Sequence, residues 1–196
     1  RDVARTAKAL GLSTEQSADL FGKFTELTDL SAEQAKNLMK STASLAEANG
    51  VAPDQVLKDV AKSTKAFSVW SKDGGENIMR AAIQARKLGL ELDDVADIAR
   101  GMLNFEESLN AEVEASLMLG KQLNFQKARE LFLQKDLEGG MEAVLEQLGG
   151  QAEWNKLNAL EQEAVAKAAS TTTENMAKLL SKEKEAAKVA GDLKEQ

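Results

Sequence analysis

The residues in this sequence best suited to acid–base or metal chemistry are carboxylates. Glu106, Glu107, Glu112 and Glu114 lie along one predicted helix, and Asp93 and Asp94 precede it. Shared chemistry needs groups that converge on one point. Adjacent residues on a helix point about 100° apart, so neither Glu106 with Glu107 nor Asp93 with Asp94 can jointly hold a substrate. The chain has no His, which removes the commonest general base, the Ser-His and Cys-His nucleophile systems and the commonest transition-metal ligand. A helical di-iron site built on Glu-x-x-His pairs cannot exist here. The chain also lacks Cys, and with it any disulfide framework, thiol nucleophile or thiolate zinc site. The glutamates are expected to form a solvated helix face, and Asp93 and Asp94 to favour a helix start through the macrodipole. The expectation is no catalytic, cofactor-binding or metal site, and a protein that is not an enzyme. Only a pocket with several converging acidic or Lys groups would revive a carboxylate enzyme.

Other local signals resolve in the same direction. Lys72-Asp73-Gly74-Gly75 has the look of an anion loop, but it lacks the P-loop spacing and follows no strand, so turn chemistry explains it. Glu138-Gly139-Gly140 and Leu148-Gly149-Gly150 read as turns as well. Trp70 and Trp154 each sit near a predicted helix end and are expected to cover packing seams.

The elements around these residues are helices with legible starts. Ser13 to Gln16 and Ser31 to Gln34 have capping-box spacing. Pro53 suits the first position of a helix, with Asp54 in its first turn. Further starts follow Gly89 and open at Thr171-Thr172-Thr173-Glu174. Apolar residues recur at helical spacing between them, as in Val56, Leu57, Val60 and Phe67 or Ile78, Ala82 and Ala85. Val95, Ile98, Met102, Phe105, Leu109, Val113 and Leu117 predict one longer helix near 92–119. Gly101 inside it costs about 1 kcal/mol relative to Ala and predicts close packing or a bend. Phe125, Ala128, Leu131 and Phe132 mark a helix after Gly120, and Met141, Val144 and Leu145 a short one after the 139–140 glycines. No alternating strand signal of useful length occurs. The expected fold is therefore all-α, an irregular bundle of about eight to ten short helices with one longer helix. Residues 1–180 are expected to form a single helical domain, with a possible sub-boundary near 71–75. Residues 181–196 read as a charged, Ala-rich C-terminal helix or linker whose last ten or so residues fray or lead into a neighbouring segment.

Composition limits function further. Of the 196 residues, 43% are hydrophobic but only 4% aromatic, so the core is built mostly from Ala, Leu and Val. A formal charge of −7 argues against direct nucleic-acid binding, which rests on Lys and Arg neutralising phosphates. No stretch reaches the roughly 18–20 apolar residues of a membrane span. An initial Arg with no signal pattern after it gives the expectation of an excised segment. The helix starts also share one plan, a Gly or Asp, an apolar residue, a cap and an acidic first turn. Their irregular spacing argues against a strict solenoid.

In their order along the chain, these pieces resemble a stretch of the tape measure proteins of tailed bacteriophages over residues 7–180. The resemblance is carried by Leu10-Gly-Leu-Ser-Thr-Glu-Gln-Ser-Ala, Ala48-Asn-Gly-Val-Ala-Pro-Asp-Gln-Val-Leu and Leu88-Gly-Leu-Glu-Leu-Asp-Asp-Val-Ala. Its most particular part runs from Phe105-Glu-Glu-Ser-Leu-Asn-Ala-Glu-Val to Phe125-Gln-Lys-Ala-Arg-Glu-Leu. Leu157-Asn-Ala-Leu-Glu-Gln-Glu-Ala and a last helix with Met176-Ala-Lys-Leu-Leu follow. Ala168-Ala169-Ser170 departs from the Leu-Gly expected before the last cap. The resemblance implies a structural virion protein of the phage tail, made in the host cytoplasm, that sets tail length and takes part in genome delivery. It implies other tape measure copies, tail tube, tail-chaperone and baseplate proteins as partners, with no functional residues to carry over. A continuous helix of this length would span roughly 290 Å, but the caps and glycines interrupt such a rod, so the segment is expected to fold back on itself. The alternative is a cytoplasmic helical adaptor that recognises a partner through a groove between helices.

Overall fold

Each cap legible in the sequence starts a helix. The computed structural model describes residues 2–192, with side chains described for residues 5, 6 and 8–182. Within them lie thirteen α-helices and no strand, a finer division than the about eight to ten expected. In chain order they are α1 (Asp2–Ala9), α2 (Thr14–Glu26), α3 (Ala32–Ala48), α4 (Pro53–Lys62), α5 (Thr64–Trp70), α6 (Glu76–Lys87) and α7 (Leu92–Leu103). Then follow α8 (Phe105–Leu119), α9 (Gln126–Leu133), α10 (Leu137–Leu148), α11 (Gly150–Asn155), α12 (Ala159–Ala168) and α13 (Thr173–Asp192). Ser13 and Ser31 each close a full capping box with Gln16 and Gln34, and Asn158 closes a third with Glu161. Each box satisfies two backbone groups that a helix end otherwise leaves orphaned.

The ends are as regular as the starts. After α3, Gly50 adopts a left-handed φ of 70° and the Val51 N–H reaches back to the Ala46 carbonyl at 2.9 Å. This is the six-to-one bond of a Schellman stop. The same bond closes α12, from Thr171 N–H to the Ala166 carbonyl at 2.9 Å, but there Ser170 takes the left-handed position at φ 57°. Ala168-Ala169-Ser170 thus forms the same turn with a side chain where glycine is more at ease.

The chain divides into two compact units. Residues up to 87 with 91–93 form the first, and residues 88–90 with 94 onward form the second, so the turn at 71–75 lies inside the first unit. In the first, α2 and α3 pack on α4, and α6 packs on α3 and α4. Leu20, Phe24, Met39, Val56, Leu57, Val60, Phe67 and Ile78 are buried there. Phe24 and Phe67 meet edge to face with centroids 5.5 Å apart, a preferred aromatic geometry. In the second unit, α9 packs on α10, α8 on α12, and both α11 and α12 on α13. Its core holds Val95, Ile98, Met102, Phe125, Phe132, Met141, Val144, Trp154 and Met176.

Two expectations change here. The single helix near 92–119 is two helices, broken at Asn104, whose ψ of 81° is far from helical. The 139–140 glycines do not precede a helix as a turn but lie in the first turn of α10, where the Asp136 side chain caps the Gly139 N–H at 2.9 Å. A Cβ on Gly140 would fall 2.2 Å from the Phe132 ring, so α9 and α10 can come this close at that point only because the residue is glycine. Most of the charged C-terminal stretch continues α13 as helix to Asp192. The fraying expected at the end falls partly on residues 193–196, which lie outside the described residues.

Candidate interaction surface

The ionisable groups that the structure buries are paired within the helix packing. In the first unit, Asp59 on α4 is buried and accepts two bonds from the Arg86 guanidinium of α6, at 2.6 and 2.7 Å. Lys62 lies 3.8 Å from the same carboxylate, and both cations also reach Glu91, at 3.5 Å from Lys62 and 3.7 Å from Arg86. Bidentate Arg–carboxylate geometry of this kind is the strong form of an ion pair. Lys23 on α2 is also buried and donates to the Ala61 carbonyl of α4. Burial pushes its ammonium below the usual lysine range, and the nearby Asp19 carboxylate partly opposes this.

The second unit repeats the device in a different place. Arg129 on α9 is 2% exposed and donates to Ser108 Oγ from both Nε and Nη2, at 3.0 and 2.9 Å. Its Nη1 reaches Glu112 Oε1 at 3.3 Å, and that same oxygen accepts the Phe125 backbone N–H. One turn further on, Ser116 Oγ accepts the Leu123 N–H at 2.9 Å while donating to the Glu112 carbonyl. Ser108, Glu112 and Ser116 therefore form a row at i, i+4 and i+8 that holds the 123–125 segment and α9. Glu112 is a structural acceptor in the interior, not part of the solvated face expected of it.

The remaining candidates stay apart. Glu106 and Glu107 are exposed in the first turn of α8, and Glu114 is exposed with Lys167 of α12 at 3.7 Å. Asp93 and Asp94 sit in the first turn of α7. Among the described residues no cluster of three or more acidic side chains has the geometry of a metal set. Gly75, at φ 90°, packs so closely on the aromatic pair that a Cβ would lie 2.8 Å from the Phe67 ring. The Lys72–Gly75 segment is thus a packed turn on the core. Gly149 and Gly150, both left-handed, form the turn between α10 and α11. Trp70 and Trp154 are buried. A shallow cleft lies along Lys167 and the hydroxyls of Ser170–Thr173, beside the Thr172 cap of α13.

The feature that packing does not absorb is an exposed flank of α8. Phe105, Leu109, Val113 and Leu117 are 45, 43, 58 and 78% exposed. At four-residue spacing they form one continuous row that drifts through about 120° of arc. The buried side of α8 carries only Ser108, Ala111, Glu112 and Ala115. Small and polar residues face in, and large apolar residues face out. Isolated exposed leucines need no explanation, but a contiguous row of four does. In the sequence this row shows only as helical spacing, continuous with that of Val95, Ile98 and Met102. The signal that could have placed it outward is the parallel row Ser108, Glu112 and Ser116, interleaved with Ala111 and Ala115, which is what a helix offers when its inner side must supply acceptors.

No family model matches the chain. Neither a curated protein nor a solved structure matches it either. No helix among the described residues is long and apolar enough to cross a membrane.

Proposed function

We propose that this chain is a folded structural segment of a phage tail tape measure protein, acting through protein contacts in tail assembly and genome delivery and not through catalysis. The observation that carries the proposal is the order of capped helix starts and connecting stretches along residues 7–180, since single capped helices recur widely. The outward row on α8 supports a contact role. Asp59, Arg86, Glu112 and Arg129 are committed to holding helices together, in keeping with a structural segment. Partners on this reading are other tape measure copies, tail tube, tail-chaperone and baseplate proteins, and the site of action is the virion.

The test is an in-frame deletion of residues 1–196 from the parent gene, with tail length read by electron microscopy. A folded segment contributes far less than the roughly 290 Å that the same residues would span as one continuous helix. Shortening by that full amount would overturn the folded part of the proposal. A parent protein missing from purified tails would overturn the whole. The second reading, a helical adaptor, is favoured by the α8 row taken alone. A catalytic or regulatory domain in the same reading frame would select it, whereas tail tube and baseplate genes on either side would select the tape measure.

A further inference from the structure

The end of α3 holds a chemically labile pair. Nine Asn residues occur in the chain, and Asn49 alone is followed by Gly. An Asn side-chain amide is lost when the backbone nitrogen of the next residue attacks its Cγ. That nitrogen is least hindered before glycine, which has no Cβ. The attack closes a succinimide ring and expels ammonia. Water then opens either ring carbonyl, giving aspartate by one route and isoaspartate by the other. The balance is one water taken up and one ammonia released, with no oxidant or cofactor needed. Water has access, because Gly50 is exposed and Asn49 half-buried.

The fold blocks this attack in three ways. Ring closure needs the Gly50 nitrogen to eclipse Asn49 Cβ about the Cα–C bond. At the observed ψ of 6° it eclipses the Asn49 nitrogen instead. The Asn49 carboxamide is also turned back along α3, donating from Nδ2 to the Leu45 carbonyl at 2.8 Å. Its Oδ1 accepts from Lys87 Nζ of α6 at 3.2 Å. The attacking nitrogen is itself engaged, since the Gly50 N–H donates to the Glu47 carbonyl at 3.0 Å. The ψ and the Gly50 bond belong to the Schellman stop that the Val51 N–H closes on Ala46. Helix ends open locally at far lower cost than the whole fold. We infer that Asn49-Gly50 is a spontaneous deamidation site gated by the end of α3: the amide is kept while the stop is closed and hydrolysed when it opens. The products make the opening permanent. Either one puts a carboxylate at the negative end of the α3 dipole. Isoaspartate also adds a methylene to the main chain between Ala46 and Val51, the two residues that the stop must join. The site is a property of this turn, whatever the parent protein does.

The test follows the 196-residue chain in mildly alkaline buffer, folded and unfolded in guanidinium, by peptide mass spectrometry and an isoaspartate assay. In the unfolded chain Asn49 should be the first of the nine amides lost. In the folded chain its loss should be at least about tenfold slower, the factor that an opening free energy of roughly 1.4 kcal/mol gives. Asn49→Gln should abolish the fast loss in guanidinium, because Gln must close a larger ring. Val51 is buried, so Val51→Ala loosens the stop and should speed the loss in the folded chain several-fold, with circular dichroism unchanged. If that variant unfolds, the wild-type chain in guanidinium below its unfolding midpoint gives the same reading, since local opening should already hasten the loss there. Equal rates in the folded and unfolded chains would overturn the inference, as would another amide lost before Asn49 in guanidinium. A rate that rises only with global unfolding would overturn the gate at α3. Each of these outcomes leaves the tape measure reading standing.

Discussion

Helices α7 and α8 follow each other with a single residue between them and share one apolar periodicity, yet they face opposite ways. Val95, Ile98 and Met102 of α7 are fully buried, while Phe105, Leu109, Val113 and Leu117 of α8 face solvent. The change occurs at Asn104, where ψ swings to 81° and the helical ladder restarts. Asn tolerates this because its short polar side chain competes poorly for helix interior positions. Periodicity thus shows that a helix has an apolar row, not that the row faces inward. The inner side of α8 went to Ser108, Glu112 and Ser116 because the Arg129 guanidinium and the N–H groups of Leu123 and Phe125 must be paired once out of water. An unmet buried polar group costs about 1–3 kcal/mol, and more if charged.

The contrast can be broken most sharply from inside. Arg129→Ala leaves the Glu112 carboxylate buried without its cation and should destabilise the fold by about 3–5 kcal/mol. Replacing both residues by Leu or Met should cost far less, and urea denaturation of the two variants separates a charge effect from a packing one. Met102→Ala on the buried side of α7 should cost about 2–5 kcal/mol, measured the same way.

A smaller effect sharpens how α7 is seated. A Cβ on Gly101 would fall 2.6 Å from Ser170 Cβ, so Gly101→Ala should cost about 1–3 kcal/mol by overpacking. Ser170→Gly removes that obstacle and relieves a left-handed φ, so on its own it should stabilise by about 1 kcal/mol. In the double variant the cost of the alanine should largely vanish, a coupling that a double-mutant cycle reads directly. The smallest effect belongs to the outer row: Leu117→Ala should change the stability of the free chain by less than about 0.5 kcal/mol. A loss comparable to that of Met102→Ala would mean that Leu117 is covered.

The sequence made the helices and their starts readable because capping is local: Ser13, Ser31 and Pro53 act within three residues of themselves. The close approach at Gly101 was also foreseen, though not its partner Ser170, which is 69 positions away. What escaped was tertiary. Nothing local marks Arg129 as buried, and without that knowledge Glu112 looks like any surface glutamate. Gly139 and Gly140 read as a turn by composition, and only the Asp136 cap folded over Gly139 and the Phe132 ring pressed against Gly140 explain their place inside a helix. The outward row went unseen for the same reason, since its spacing is that of a core stripe.

The pairing of α8 with α12 carries a kinetic consequence. In the second unit α9 packs on α10 and α12 on α13 across short connections, so those contacts form by short loop closures. By contrast, α8 meets α12 across about 40 intervening residues that hold α9, α10 and α11. Contacts at low sequence separation form fast, while distant ones wait on chain entropy. After complete unfolding, the α8–α12 seam should be the last part of the second unit to re-form, and hydrogen exchange pulsed during refolding should label its amides longest.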